Sequence, residues 1–138
     1  MTVNIHASCI ELNGTGILLL GNSGAGKSDI SLRLIENHQA KLVADDRVNI
    51  DINSGQLIAS CPENIKGQLE VRGIGIVTYP YIEKTVIKIA VNLTDKKIER
   101  LPEKHYYNFA DISVPMIYLD SREPSSTAKL LSALRLLL

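Results

Sequence analysis

The chain has 138 residues, enough for one domain around one hydrophobic core. Apolar residues make up 45% and charged residues 22%, which excludes a disordered or low-complexity chain. Lys and Arg together number 15 and balance 15 Asp and Glu, so no net field draws the protein onto nucleic acid or an anionic membrane. Any phosphate recognition must come from a local site.

The two cysteines, Cys9 and Cys61, have neither disulfide-framework nor metal-ligand spacing and read as reduced thiols. The first residues lack the basic segment and apolar run of a secretory signal. Apolar runs stay far below the roughly 20 residues needed to span a bilayer. A soluble, cytoplasmic chain forming a single domain over residues 1–138 is expected.

Along the chain, Val3–Leu12 reads as a strand ending in the hairpin turn Asn13-Gly14. Ile17–Leu20 is wholly apolar, the mark of a strand buried on both faces. A glycine-rich loop follows, then Asp29–Asn37, where Ile30, Leu34 and Ile35 recur at helical spacing. Leu42–Ala44 is a short strand stopped by Asp45-Asp46, and it is expected to neighbour the strand before the loop. Val48–Ile52 and Gln56–Ala59 flank Asn53-Ser54-Gly55 as a second hairpin. Pro62–Gly67 reads as a loop or one helical turn, and Glu70–Ile76, interrupted by glycines, as irregular. Thr85–Leu93 and Pro115–Leu119 read as strands, and Thr127–Leu138 as a closing helix dense in leucine. Strands outnumber helices, which predicts an α/β fold with a mixed, strand-rich sheet and few helices.

Gly21-Asn22-Ser23-Gly24-Ala25-Gly26-Lys27-Ser28 matches G-x-x-x-x-G-K-[ST] at every fixed position. Glycines let successive backbone N–H groups turn toward one anion, and the following helix adds its positive end. Lys27 supplies a mobile charge for the β- and γ-phosphates, and the Ser28 hydroxyl suits Mg²⁺. An apolar strand running in and an apolar-periodic helix running out supply the required context. A nucleoside triphosphate, ATP with Mg²⁺, is the expected ligand.

The metal of such a site usually takes a carboxylate at the end of a nearby strand. Asp45-Asp46 after Leu42–Ala44 is one candidate and Asp120 after Met116–Leu119 the other. Two adjacent acids after a buried strand are costly unless neutralised, and beside Mg²⁺ they can divide the labour. One holds metal and the other takes a proton from the attacking hydroxyl.

Four pieces in order resemble the catalytic domain of the HPr kinase/phosphorylase family. They are His6-Ala7, the loop Gly21–Ser28 followed by Asp29, the strand end Leu42–Asp46, and Leu69-Glu70-Val71-Arg72-Gly73-Ile74-Gly75-Ile76. The last is close to the family signature L-E-I-R-G-L-G-I. Glu99-Arg100-Leu101 is a weaker fifth match, and together they span about residues 2–105. The resemblance implies the P-loop fold shared with phosphoenolpyruvate carboxykinase and ATP-dependent phosphorylation of a serine of the phosphocarrier protein HPr. It implies Lys27 on the transferred phosphoryl group, and Ser28, Asp46 and Glu70 toward Mg²⁺. Asp45 is implied as general base oriented by His6, Arg100 as a charge near the phosphoryl group, and Arg72 as support for the signature segment.

The chain begins just ahead of His6, where long members carry a further domain, so the resemblance implies the short alphaproteobacterial type. The family's C-terminal V-R-P-G-R-N segment is not matched by Asp120–Ser126, so kinase activity is implied and phosphorylase activity is not. Lys27 and Asp45 stand one residue further apart than is usual, which leaves either Asp45 or Asp46 as the base. An ATP-sensing module without transfer is the competing reading. A small-molecule kinase is the third, though no lid-sized insertion is present. The leucines of the closing helix read as core packing or as a subunit contact, hexameric in long family members.

Overall fold

The structure, a computed structural model, describes residues 2–138. The elements are β1 (Val3–Ile5), β2 (Ser8–Leu12), β3 (Thr15–Leu20), α1 (Lys27–His38), β4 (Lys41–Ala44), β5 (Val48–Asn53) and β6 (Gln56–Ser60). After one 3-10 turn at Glu63–Ile65 come β7 (Gln68–Val71), β8 (Gly75–Thr78), β9 (Lys84–Leu93), β10 (His105–Phe109), β11 (Ile112–Leu119) and α2 (Ser126–Leu137). This is the α/β, strand-rich mixed sheet that the sequence predicts.

Nine strands form one sheet and β7–β8 a separate two-stranded one. The order β1-β5-β6-β9-β3-β2-β4 is branched, because one edge of β9 pairs β3 while the other is shared. There, Lys84, Thr85 and Val86 pair β6, and Ala90–Leu93 pair β11. β3, β9 and β11 run parallel, and β2 is antiparallel to both β3 and β4. The C-terminal ends of β3, β4, β9 and β11 and the start of β2 therefore meet at one edge of the sheet. Ligands of open α/β sheets bind at such an edge.

The period-2 alternation of side chains divides the core in two. Ile17 and Leu19 of β3 face Ile30 and Leu34 of α1 and Leu130 of α2, whereas Leu18 faces Val48, Ile50, Leu57 and Ala59 of the β5–β6 hairpin. β3 is thus buried on both faces, as its apolar run predicts.

Several local readings are corrected. Val3–Leu12 is two strands, broken at His6-Ala7, because β1 pairs β5 while β2 pairs β3 and β4. The segment around Glu70–Ile76 is a regular hairpin whose turn is closed by Ile74 N–H donating to Val71 C=O at 2.9 Å. β4 does not adjoin β3; β2 lies between them. β10 was not anticipated. Both short hairpins do turn at the expected residues, Asn13-Gly14 and Ser54-Gly55, all with positive φ as a two-residue turn requires. No helix among the described residues is long and apolar enough to cross a membrane.

Candidate functional site

The loop after β3 is shaped by its neighbours as much as by its glycines. Gly26 has φ 104°, and a Cβ there would lie 2.2 Å from Ser121 Oγ, so only glycine fits. Ser121, just past β11, donates its hydroxyl to Ala25 C=O at 2.7 Å. Arg33 of α1 ties this corner down by donating to Ser121 C=O and, at 2.7 Å, to Ser126 Oγ. The same guanidinium pairs with Asp29 one turn earlier. Lys27 is buried at the first turn of α1 and donates to Gly21 C=O at 2.8 Å and Asn22 C=O at 3.2 Å. Burial pushes its pKa down, while the nearby Asp46 and Asp45 carboxylates push it back up.

The two adjacent acids diverge. Asp46 has φ 69°, a left-handed conformation that Asp tolerates better than most residues, and it turns the chain between them. Asp45 faces inward and accepts from Ser28 Oγ at 2.7 Å and Ser8 Oγ at 3.0 Å. Ser8 Oγ also accepts from the Asp46 N–H at 3.2 Å. Asp46 faces outward, with its Oδ1 2.7 Å from His6 Nε2. His6 thus pairs with Asp46, not with Asp45 as the resemblance implied. The break between β1 and β2 explains this, because it carries His6 out of the sheet over the exposed acid. Asp46 is 71% exposed and His6 38%.

Two clefts flank the loop. His6, Lys27, Ser28, Asp46, Glu70 and Arg72 line the one on the β2–β4 side, of about 570 Å³. The hairpin β7–β8 brings Glu70 and Arg72 to it, anchored by buried Leu69 beneath and by Tyr79 OH donating to Glu36 of α1 at 2.7 Å. The cleft on the β9–β11 side, of about 780 Å³, takes Gly21, Asn22 and Ala25 from the loop and residues from the ends of β9 and β11. Ser23, Gly24 and Ser121 border both. Asp120 belongs to this second cleft, where Arg122 grips both carboxylate oxygens at 3.0 and 2.8 Å and holds its pKa down at about 2. Asp120 is therefore no partner of Ser28. Arg100 lies exposed in the connection between β9 and β10 and lines neither cleft.

Sequence reasoning missed Ser8, Ser121 and Arg33. Ser8 was two residues from the flagged His6, but nothing local marks a serine whose partners lie 37 and more positions away. Among the described residues no three His, Cys, Asp or Glu side chains cluster as a metal cage. The Ser28–Asp45 oxygen pair is the sparser arrangement that suits Mg²⁺, which keeps waters and phosphate oxygens in most positions.

A strand running into a glycine loop, a helix running out, and carboxylates at parallel strand ends define a phosphate-loop protein of the mixed-sheet type. Residues 1–135 match the family model described as the HPr Serine kinase C-terminal domain. The chain belongs to this HPr kinase family. It is 35% identical over 133 residues to the HPr kinase/phosphorylase of Caldanaerobacter subterraneus subsp. tengcongensis, covering 87% of this chain and 43% of that one. It is 33% identical over 141 residues to that of Clostridium beijerinckii, covering 94% and 46%. The chain thus spans less than half the length of these relatives. The fold matches the structure of the Hpr(Ser) kinase/phosphatase from Coxiella burnetii, with a TM-score of 0.84 at 24% identity over 96% of this chain and 94% of that one.

Proposed function

We propose that this chain is an ATP-dependent protein kinase that phosphorylates a serine of the phosphocarrier protein HPr. The family membership supports the kinase and its acceptor. The division of the two acids supports the chemistry: Asp45 is engaged inward by two hydroxyls, while Asp46 is open to solvent beside His6. A base acting on a protein serine must be reachable from outside, and Asp46 is. Ser28 and Asp45 would hold Mg²⁺, and Glu70 lines the same cleft as Ser28. The metal, when bound, neutralises phosphate charge.

In this reading Asp46 accepts the proton of the acceptor hydroxyl, and the bond to His6 fixes its orientation. Lys27 leaves the loop carbonyls for the transferred phosphoryl group, where a fixed positive charge offsets developing negative charge. The hairpin that brings Glu70 and Arg72 to the cleft also exposes Ile74, 78%, and Ile76, 70%, an apolar surface that would meet the acceptor protein.

The test is transfer of labelled γ-phosphate from Mg-ATP to purified HPr by wild type, Asp46→Asn and Asp45→Asn. Asp46→Asn should bind ATP but lose transfer, and Asp45→Asn should lose Mg²⁺-dependent binding. Wild type that binds ATP yet labels no HPr serine would remove the proposal in favour of ATP sensing. Full transfer by Asp46→Asn would return the base to Asp45.

A further inference from the structure

The reading above uses one cleft and leaves the larger one, between the ends of β9 and β11, without a role. Its volume of about 780 Å³ lies within the roughly 300–1,000 Å³ of small-molecule sites. Its floor is the N-terminal part of the loop, and its walls are Asn92–Lys96, Tyr118 and Asp120–Arg122. It meets the first cleft across Ser23 and Gly24. A chain of phosphates lying on the loop therefore has one end in each. The end beside Lys27, Ser28 and the two acids is where phosphoryl transfer takes place. The opposite end must emerge between β9 and β11.

The geometry points to this second cleft as the nucleoside subsite, with the ring of Tyr118 as the surface on which the base packs. The inference rests on the nucleotide reading of the loop. Tyr118 is the aromatic side chain among the lining residues, and it is held in place. His105 of the adjacent strand meets it edge to face, with centroids 5.2 Å apart and planes at 89°. A ring fixed before the ligand arrives loses little freedom on binding. The remaining walls carry Asn92, Thr94 and Lys96, hydrogen-bonding groups suited to a sugar and the inner phosphate. Asp120 and Arg122 close the far side as a mutually satisfied pair. Asp120 and Arg122 fall in the segment that departs from the family pattern, and the subsite is built from this chain's own side chains.

A nucleoside subsite predicts that removing it harms ATP and spares the bare polyphosphate. Calorimetric titration of wild type and Tyr118→Leu with Mg-ATP and with inorganic tripolyphosphate separates the two. Loss of a base-stacking ring should weaken ATP binding about tenfold while tripolyphosphate affinity stays unchanged. Tyr118→Phe, which keeps the ring, should restore ATP affinity.

An equal loss for both ligands, or no loss for ATP, would overturn the subsite and leave the loop reading intact. Failure of wild type to bind either ligand would remove the loop reading, and the subsite with it. Photolabelling of wild type with 8-azidoadenosine triphosphate needs no variant to fold. Label on residues 92–96 or 118–122 supports the subsite, and label confined to the His6 and Glu70 side refutes it.

Discussion

The two flanks of the phosphate loop are alike in backbone and opposite in chemistry. On each, a strand parallel to β3 ends in an acid, and on each one strand intervenes: β2 before β4, and β9 before β11. On the β4 side the acid meets hydroxyls, from Ser8 and Ser28, and keeps its charge available to a cation. On the β11 side the acid meets a guanidinium and has its charge cancelled in place. A carboxylate at a strand end near a phosphate loop is thus no sufficient sign of a metal site. The side chains reaching it from other strands decide what it does.

The largest effect that tests this contrast is on Lys27, which lines the same cleft as Asp46. Lys27→Ala should lower phosphoryl transfer by about 10²–10³ or more. Burial disfavours its ammonium while its bonds to the Gly21 and Asn22 carbonyls favour it, so the same variant should melt close to wild type, by calorimetry. Transfer near the wild-type rate, or a large loss of stability, would break the assignment of Lys27 to function.

Next is the junction between the flanks. Gly26→Ala combines a positive φ with a clash against Ser121 and should cost about 1–3 kcal/mol, measured by urea unfolding. Adding Ser121→Gly removes the clash but not the strain, so it should recover part of the loss. No recovery would show that the β11 corner does not shape the loop.

A smaller effect is expected at the second acid. Asp120→Asn disrupts a pair whose attraction is screened by solvent and should leave kcat for HPr within about threefold, in contrast to Asp46→Asn. A collapse of kcat would make the two flanks chemically equivalent.

The smallest concerns pH. Arg122 holds the folded Asp120 pKa at about 2, below its unfolded value near 3.9. The folded state therefore binds fewer protons between those values, and the pair's contribution is present above about pH 4 and lost as pH falls toward 2. Arg122→Ala should flatten this part of the stability curve in thermal melts. A curve that superimposes on wild type would show that the pair carries no such linkage.

How much of this was legible in the sequence follows from the range of the forces involved. The buried β3, helix α1, the glycine-rich loop and both hairpin turns rest on neighbouring residues, through side-chain period and glycine φ, and each was readable in place. The signature Leu69–Ile76 was recognised as a string, but its form as a hairpin was hidden. Its glycines suggested irregularity, whereas Gly73 and Gly75 serve the turn and the strand start. β10 was missed because His105–Phe109 mixes polar and aromatic residues with no period, and it is a strand only because β11 pairs with it.

The sequence by itself thus determined the glycine-rich loop between strand and helix, the strand-rich α/β class and the short list of acids, because each depends on local backbone geometry and composition. Only the tertiary structure decided which acid faces which partner. Asp45 and Asp46 are adjacent in the chain, yet one points to Ser28 and the other to His6. Asp120 could not be told from them until Arg122 and the β9–β11 edge were in place. Those partners are set by strand order and by a break in one strand. Both are products of long-range pairing, which leaves no mark on the residues beside the acids.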